Sequence, residues 1–348
     1  VSAQVKTTNT AKRTLVWSAN GTDAAGNNKY SAANGLYRAR QYYGQGGKPD
    51  GWVYCDPDGI EHHVDTRRVA ELAAESHYAI HGTITPDGRE TEEQTLSRIR
   101  RRFTIAAQLV DRVISGHVPS LIISGPGGIG KSYPTIKKLE AAREQGRAIQ
   151  IVTGAVSPAG LIPKLWSVKN GGVLCLDDAD SILDTLDGLN ILKAATDSKP
   201  LRQISWEKRS AALRREGIPN TFPFAGSLIV ILNTCLDAVI KKGGKLAPHV
   251  GAVMSRALYL PLNVGTTREI VLRIRHVVEE CNMLVPYGIV DDVHLRAITR
   301  FVEDNAERFR FLSLREVVKI AGLYRSMGGP EGSDDWQHAA ADTCFTPA

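Results

Sequence analysis

Eight consecutive residues, Gly125, Pro126, Gly127, Gly128, Ile129, Gly130, Lys131 and Ser132, satisfy the pattern G-x-x-x-x-G-K-[ST] at every position. They follow the apolar run Leu121-Ile122-Ile123 and precede a stretch of helical spacing, so the pattern stands where a strand turns into a helix. Glycines at 125, 127, 128 and 130 let the backbone curl with its N–H groups turned inward, where a side chain would collide. Such a loop holds phosphate: Lys131 reaches the β- and γ-phosphates of a nucleotide, the Ser132 hydroxyl binds Mg²⁺, and the helix adds its positive N-terminal end. ATP and Mg²⁺ are the expected ligands.

A chain of 348 residues with 43% hydrophobic side chains has material for two or three domains with real cores. Its net charge of +6 permits a phosphate-bearing partner without demanding one. Cys55, Cys175, Cys235, Cys281 and Cys344 are scattered and never form a Cys-x-x-Cys pair, which argues against a disulfide framework and a zinc ribbon. No apolar stretch is long enough to cross a bilayer, and the polar N-terminus lacks a signal-peptide core. The expectation is a soluble, cytoplasmic protein with no membrane partner.

Residues 1–89 differ in texture, being rich in Gly, Asn, Tyr and Thr with repeated turn signals such as Asn20-Gly21 and Asp58-Gly59. They read as a small N-terminal accessory domain of short strands, including Leu15-Val16-Trp17 and Trp52-Val53-Tyr54, with one helix over 66–78. Cys55, His62 and His63 lack a fourth ligand at matched spacing, so no metal site is assigned. Tyr30, Tyr37, Tyr42 and Tyr43 alternate with Lys29, Arg38 and Arg40, which suits either stacking on single-stranded nucleic acid or a solvated β-surface.

Downstream, helical spacing of Ile99, Phe103, Ala106, Val110 and Val113 predicts a helix over 90–115. After the P-loop the chain alternates strand and helix: strands at 148–152, 173–176 and 228–232, helices at 159–168 and 184–197. That alternation predicts a parallel sheet covered on both faces. Val173-Leu174-Cys175-Leu176 ends in Asp177-Asp178, and ligands of open α/β sheets bind along that carboxyl edge. Asp177 is then placed to support Mg²⁺ and Asp178 to polarise the attacking water. Asn233 follows the apolar run 227–232 directly; by itself it reads first as a turn former.

In this order of motifs the chain resembles the AAA+ ATPases over residues 90–326. The resemblance implies an α/β fold, a P-loop core with a five-stranded parallel sheet flanked by helices (90–264), a C-terminal helical lid (265–327) and a tail (328–348). It implies that the strand ending in Asn233 inserts between the P-loop strand and the acidic strand, making Asn233 similar to sensor 1. Arg256, in Val253-Met254-Ser255-Arg256, is similar to an arginine finger acting on a neighbouring subunit, and Arg315, after the helix cap Ser313, to sensor 2.

Two departures from the pattern stand out. Asp178 replaces the usual Glu, as in bacterial replication initiators, and slow hydrolysis is one consequence. An insert over 200–224, with a β-hairpin expected at Leu201-Arg202-Gln203-Ile204-Ser205-Trp206, resembles the pre-sensor-1 insertion of helicases, helicase loaders and MoxR-type remodellers. Its segment 201–216 carries five basic residues against two acidic, suited to lining a pore around a phosphate backbone or to a solvated loop. The region from the P-loop to Trp206 also resembles uncharacterised AAA-family ATPases of tailed bacteriophages. Together these features imply an ATP hydrolase that assembles into a homo-oligomeric ring or spiral, a hexamer by family habit, with DNA or another nucleic acid as partner. A slow, ATP-dependent oligomerisation switch or scaffold is the alternative.

Overall fold

A computed structural model describes residues 18–22, 28–32, 37–43, 49–55, 61–64, 67, 90–208, 211–327, 329 and 335–347. The chain divides into two compact units, 1–98 and 99–348.

In the first unit, strands β1 (Ser18–Thr22), β2 (Asn28–Ala32), β3 (Tyr37–Tyr43), β4 (Pro49–Cys55) and β5 (Glu61–Val64) form an antiparallel meander in sequence order. Trp52-Val53-Tyr54 lies within β4, with Val53 opposite His63 and fully buried. The predicted strand at Leu15-Val16-Trp17 lies outside the described residues. So does all of the predicted helix at 66–78 except Arg67.

Helix α1 (Glu92–Ile114) leads into the second unit, and its periodic face, Ile99, Ala106, Val110 and Val113, is buried. There follow β6 (Ser120–Ser124), α2 (Ser132–Glu144), β7 (Ile149–Thr153), α3 (Pro158–Val168), β8 (Val173–Asp177) and, after a 3₁₀ turn at Asp180–Asp184, α4 (Leu186–Thr196). Ser157 and Thr185 end the loops before α3 and α4 by accepting the N–H of Gly160 and of Gly188. Next come β9 (Arg202–Ser205), α5 (Ala211–Arg215), β10 (Thr221–Phe224), β11 (Ser227–Leu232), α6 (Leu236–Lys242), α7 (Ala247–Met254) and β12 (Leu258–Pro261).

The sheet order is β12-β6-β11-β8-β7, and every pairing in it is parallel. β11 therefore lies between the P-loop strand and the acidic strand, with Leu232 level with Ser124 and Ile231 with Asp177. The uninterrupted apolar runs reflect burial on both faces. Leu121, Ile123, Val173, Cys175, Ile229 and Ile231 pack against α1 and α2, whereas their alternates Ile122, Leu174, Leu176, Leu228, Val230 and Leu232 pack against α3, α4 and α7.

The segment 201–206 supplies one strand, not a hairpin of its own: β9 pairs antiparallel with β10, Ile204 opposite Phe222, and the basic α5 lies between them. Alternate residues Arg202 and Ile204 are buried, which fixes the register.

Helices α8 (Thr267–Glu279), α9 (Asp292–Asp304), α10 (Leu314–Ser326) and α11 (Asp335–Cys344) close the chain. Thr266 and Glu269 form a capping box at α8, and Ser313 caps α10 through the N–H of Glu316. These helices share one core, in which Trp336 meets Phe301 and Tyr324 edge-on at centroid separations of 5.0 and 5.1 Å.

Candidate active site

The P-loop leaves β6 and enters α2. Gly128 and Gly130 adopt φ of +74° and +88°, left-handed values that favour glycine. A Cβ on Gly128 would stand 2.5 Å from Cβ of Ser313, so the first turn of α10 sits directly on the loop. Helix α2 begins with neither a side-chain cap nor an acidic residue in its first turn, unlike α3, α4, α8 and α10. Its positive end is left for an anion.

Lys131 is buried, and its Nζ donates to Gly125 O at 2.8 Å, Pro126 O at 2.7 Å and Asn233 Oδ1 at 2.8 Å. Burial pulls its pKa below the ordinary lysine value, with Asp178, Asp177 and Asp180 opposing that shift. The Ser132 hydroxyl donates to Asp177 Oδ1 at 2.6 Å. Burial raises the Asp177 carboxyl above the usual range, partly offset by this hydrogen bond. A hydroxyl beside a buried carboxylate, at the foot of an uncapped helix, is a donor set that fits Mg²⁺ with a phosphate.

The amide of Asn233 joins two of these groups. Its Oδ1 accepts from Lys131, and its Nδ2 donates to Asp178 Oδ1 at 2.9 Å. Arg315, the second residue of α10, reaches Asp178 Oδ2 at 3.6 Å. Lys131, Asn233, Asp178 and Arg315 thus run as one chain from the P-loop to the first turn of α10. Asp178 itself has φ of +55°, a strained conformation for a non-glycine residue, placed where β8 ends.

Arg256 is elsewhere. Its carbonyl accepts from the Ser120 hydroxyl at 3.4 Å, at the amino end of β6, whereas the P-loop leaves the carboxyl end after Ser124. The four residues of β12 separate it from the loop's edge, about 13 Å at roughly 3.3 Å per residue. The side chain is exposed and folds back to donate to Ala252 O at 2.6 Å.

Two functional candidates escaped the sequence reading. Asp180 accepts the N–H of Asn233 at 3.2 Å and of Thr234 at 2.8 Å, fixing the backbone that presents the Asn233 amide. The third aspartate of Asp177-Asp178-Ala179-Asp180 was the available signal. Tyr259 contacts the Ser124 hydroxyl at 2.8 Å and accepts the Leu236 N–H at 3.3 Å; burial pushes its pKa up to about 12.

The basic insert is less available than its composition implies. Arg202 is buried, donating to Ala195 O at 2.8 Å and to Gly226 O, and Lys208 pairs with Asp187. Arg214 and Arg215 on α5 are exposed. Among the described residues no group of three or more His, Cys, Asp or Glu side chains forms a metal cluster, and no helix is long and apolar enough to cross a membrane.

No protein-family model matches the chain. An uncharacterised 36.7 kDa protein of Enterobacteria phage T4, from the nrdC–mobD intergenic region, is 33% identical over 274 residues, covering 78% of this chain and 82% of that one. Among solved structures, a point mutant of RuvB from Thermotoga maritima aligns with a TM-score of 0.42 at 14% identity, covering 74% of this chain and 71% of RuvB. NtrX of Brucella abortus in complex with ADP aligns with a TM-score of 0.44 at 14% identity, covering 81% of this chain and 62% of NtrX. The sequence shared with the phage T4 protein establishes that this chain belongs to the family of that phage protein, and its P-loop α/β core has the inserted strand order that the AAA+ resemblance implies.

Proposed function

We propose that the protein is a Mg²⁺-dependent ATP hydrolase that assembles into a ring or spiral, a hexamer by family habit. It uses ATP bound between subunits to move or remodel nucleic acid or a nucleoprotein complex in phage DNA metabolism. The observation that carries this reading is the linked set Lys131, Asn233, Asp178 and Arg315 beside the Ser132–Asp177 pair.

In this reading the loop 125–130 and the open end of α2 bind the phosphates, and Lys131 turns its ammonium from the loop carbonyls toward them. Ser132 and Asp177 would hold Mg²⁺, which supplies charge neutralisation on the phosphate oxygens. Asp178 accepts a proton from the attacking water, Asn233 holds that water and the Asp178 carboxylate in register, and Arg315 senses nucleotide from the lid. Arg256 is exposed at the opposite edge of the sheet, so it acts on the site of a neighbouring copy. Arg214 and Arg215 of the insert are the candidates for contact with a phosphate backbone.

One observation favours the slow switch or scaffold as a second reading. The short Asp178 side chain is engaged by both Asn233 and Arg315, so it has to be released before it can activate water.

Steady-state ATP turnover and particle mass, measured together with single-stranded DNA, double-stranded DNA, RNA or no polymer, separate the two. A motor is stimulated several-fold by its polymer in an assembled particle. One slow turnover per assembly, indifferent to polymer, supports the switch, and absence of any turnover contradicts the hydrolase.

A further inference from the structure

The lid helix α8 carries a charge that the reading above does not use. Arg273 is 7% exposed, its guanidinium carbon lies 3.4 Å from the centroid of the Phe103 ring, and its Nε donates to Ile129 O at 3.2 Å. Among the described residues no carboxylate pairs with it. Burial brings its pKa down to about 10. A desolvated guanidinium is costly unless a counter-charge arrives, and a single ring face supplies only part of one.

What adjoins it is the phosphate-binding loop. Its Nη2 lies 3.5 Å from the point a Cβ on Gly130 would occupy. The lid also grips the preceding residue, since the Leu314 N–H donates to Gly128 O at 2.8 Å. In a trans peptide the carbonyl of one residue and the N–H of the next point opposite ways. Holding the Gly128 and Ile129 carbonyls from the lid side therefore turns the N–H groups of Ile129 and Gly130 toward the other face of the loop.

We propose that Arg273 is a positioning residue for the P-loop: it aims the Gly130 N–H at bound phosphate through the Ile129 carbonyl, and that phosphate is the counter-charge its buried guanidinium lacks. The proposal rests on the ATP reading of the site. It makes the lid a sensor of phosphate through the loop's backbone as well as through Arg315.

The test is the affinity of the full chain for Mg·ATP and Mg·ADP, by displacement of a fluorescent ATP analogue, together with melting of the nucleotide-free protein. Arg273→Lys keeps the charge, Arg273→Gln keeps a donor without charge, and Arg273→Met keeps neither. Affinity is expected to fall in the order Arg, Lys, Gln, Met, with at least a tenfold loss for Met that is larger for ATP than for ADP. The melting temperature of the nucleotide-free protein should not follow that order. Wild-type affinity in Arg273→Gln and Arg273→Met overturns the proposal while leaving the ATP reading intact. Equal losses in all three variants that track lowered melting temperatures also overturn it, because they mark packing alone. Failure of the wild-type chain to bind nucleotide overturns both.

Discussion

The two edges of the central sheet are built differently. At the carboxyl edge, Lys131, Ser132, Asp177, Asp178, Asp180, Asn233 and Arg315 satisfy one another within a single chain. At the amino edge, Arg256 is exposed in the turn that follows α7, and its side chain folds back onto the carbonyl of Ala252. The first arrangement suits holding a ligand whose charge replaces internal partners. The second suits a group whose partner comes from outside. In the proposed reading, such a site would be complete for binding in one chain and complete for turnover only in an assembly.

The largest effect is expected at Lys131. Lys131→Ala removes the cation at the centre of the carboxyl edge and should abolish nucleotide binding, read by calorimetry or by loss of the ATP-induced rise in melting temperature. Arg256→Ala should leave affinity unchanged but slow turnover by about 10³-fold, roughly 4 kcal/mol of barrier, in a steady-state assay. A drop in affinity instead would place Arg256 among the binding groups and dissolve the contrast between the edges.

Asp180 holds the backbone of the binding edge through the N–H groups of Asn233 and Thr234. Asp180→Ala releases the N–H groups of Asn233 and Thr234, so kcat should fall about tenfold, the effect of roughly one lost charge-assisted hydrogen bond, with little change in KM. Equal changes in both constants would mark a general loosening of the loop. The smallest effect concerns pH. Burial raises the Asp177 pKa, so the nucleotide-free fold favours its protonated form and loses that contribution as pH rises through the raised value. Mg²⁺ needs the ionised form. Stabilisation by Mg·ATP should therefore weaken, as pH falls, at a higher pH than for an exposed aspartate, and Asp177→Asn should flatten that dependence.

The carboxyl edge was legible because its signals are local. The loop 125–132, the apolar strand 173–176 ending in two aspartates and the run 227–232 ending in Asn233 each declare strand, tip and residue type within a few positions. Placing β11 between β6 and β8 required the AAA+ resemblance, and the pairing bears it out. Helices α6 and α7 went unassigned, since Gly243 and Gly244 interrupt their pattern and Val250 and Val253 are buried in a core shared with the distant helix α4. Arg273 and Arg202 read as ordinary basic residues on a helix and a loop; their burial comes from partners 144 and 24 positions away. Composition alone counted Arg202 toward a polyanion surface, whereas the alternation of β9 turns it into the core.

In the proposed assembly, one copy's Arg256 completes another copy's site. Arg256→Ala supplies an intact carboxyl edge without the outside arginine, and Asp178→Asn supplies the arginine beside an edge that binds ATP without turning it over. Mixing the two variants at varied ratios and measuring ATP turnover tests this action in trans. Activity that rises to a maximum at intermediate ratios is the predicted result, and no recovery at any ratio, in particles shown by mass to contain both variants, contradicts it.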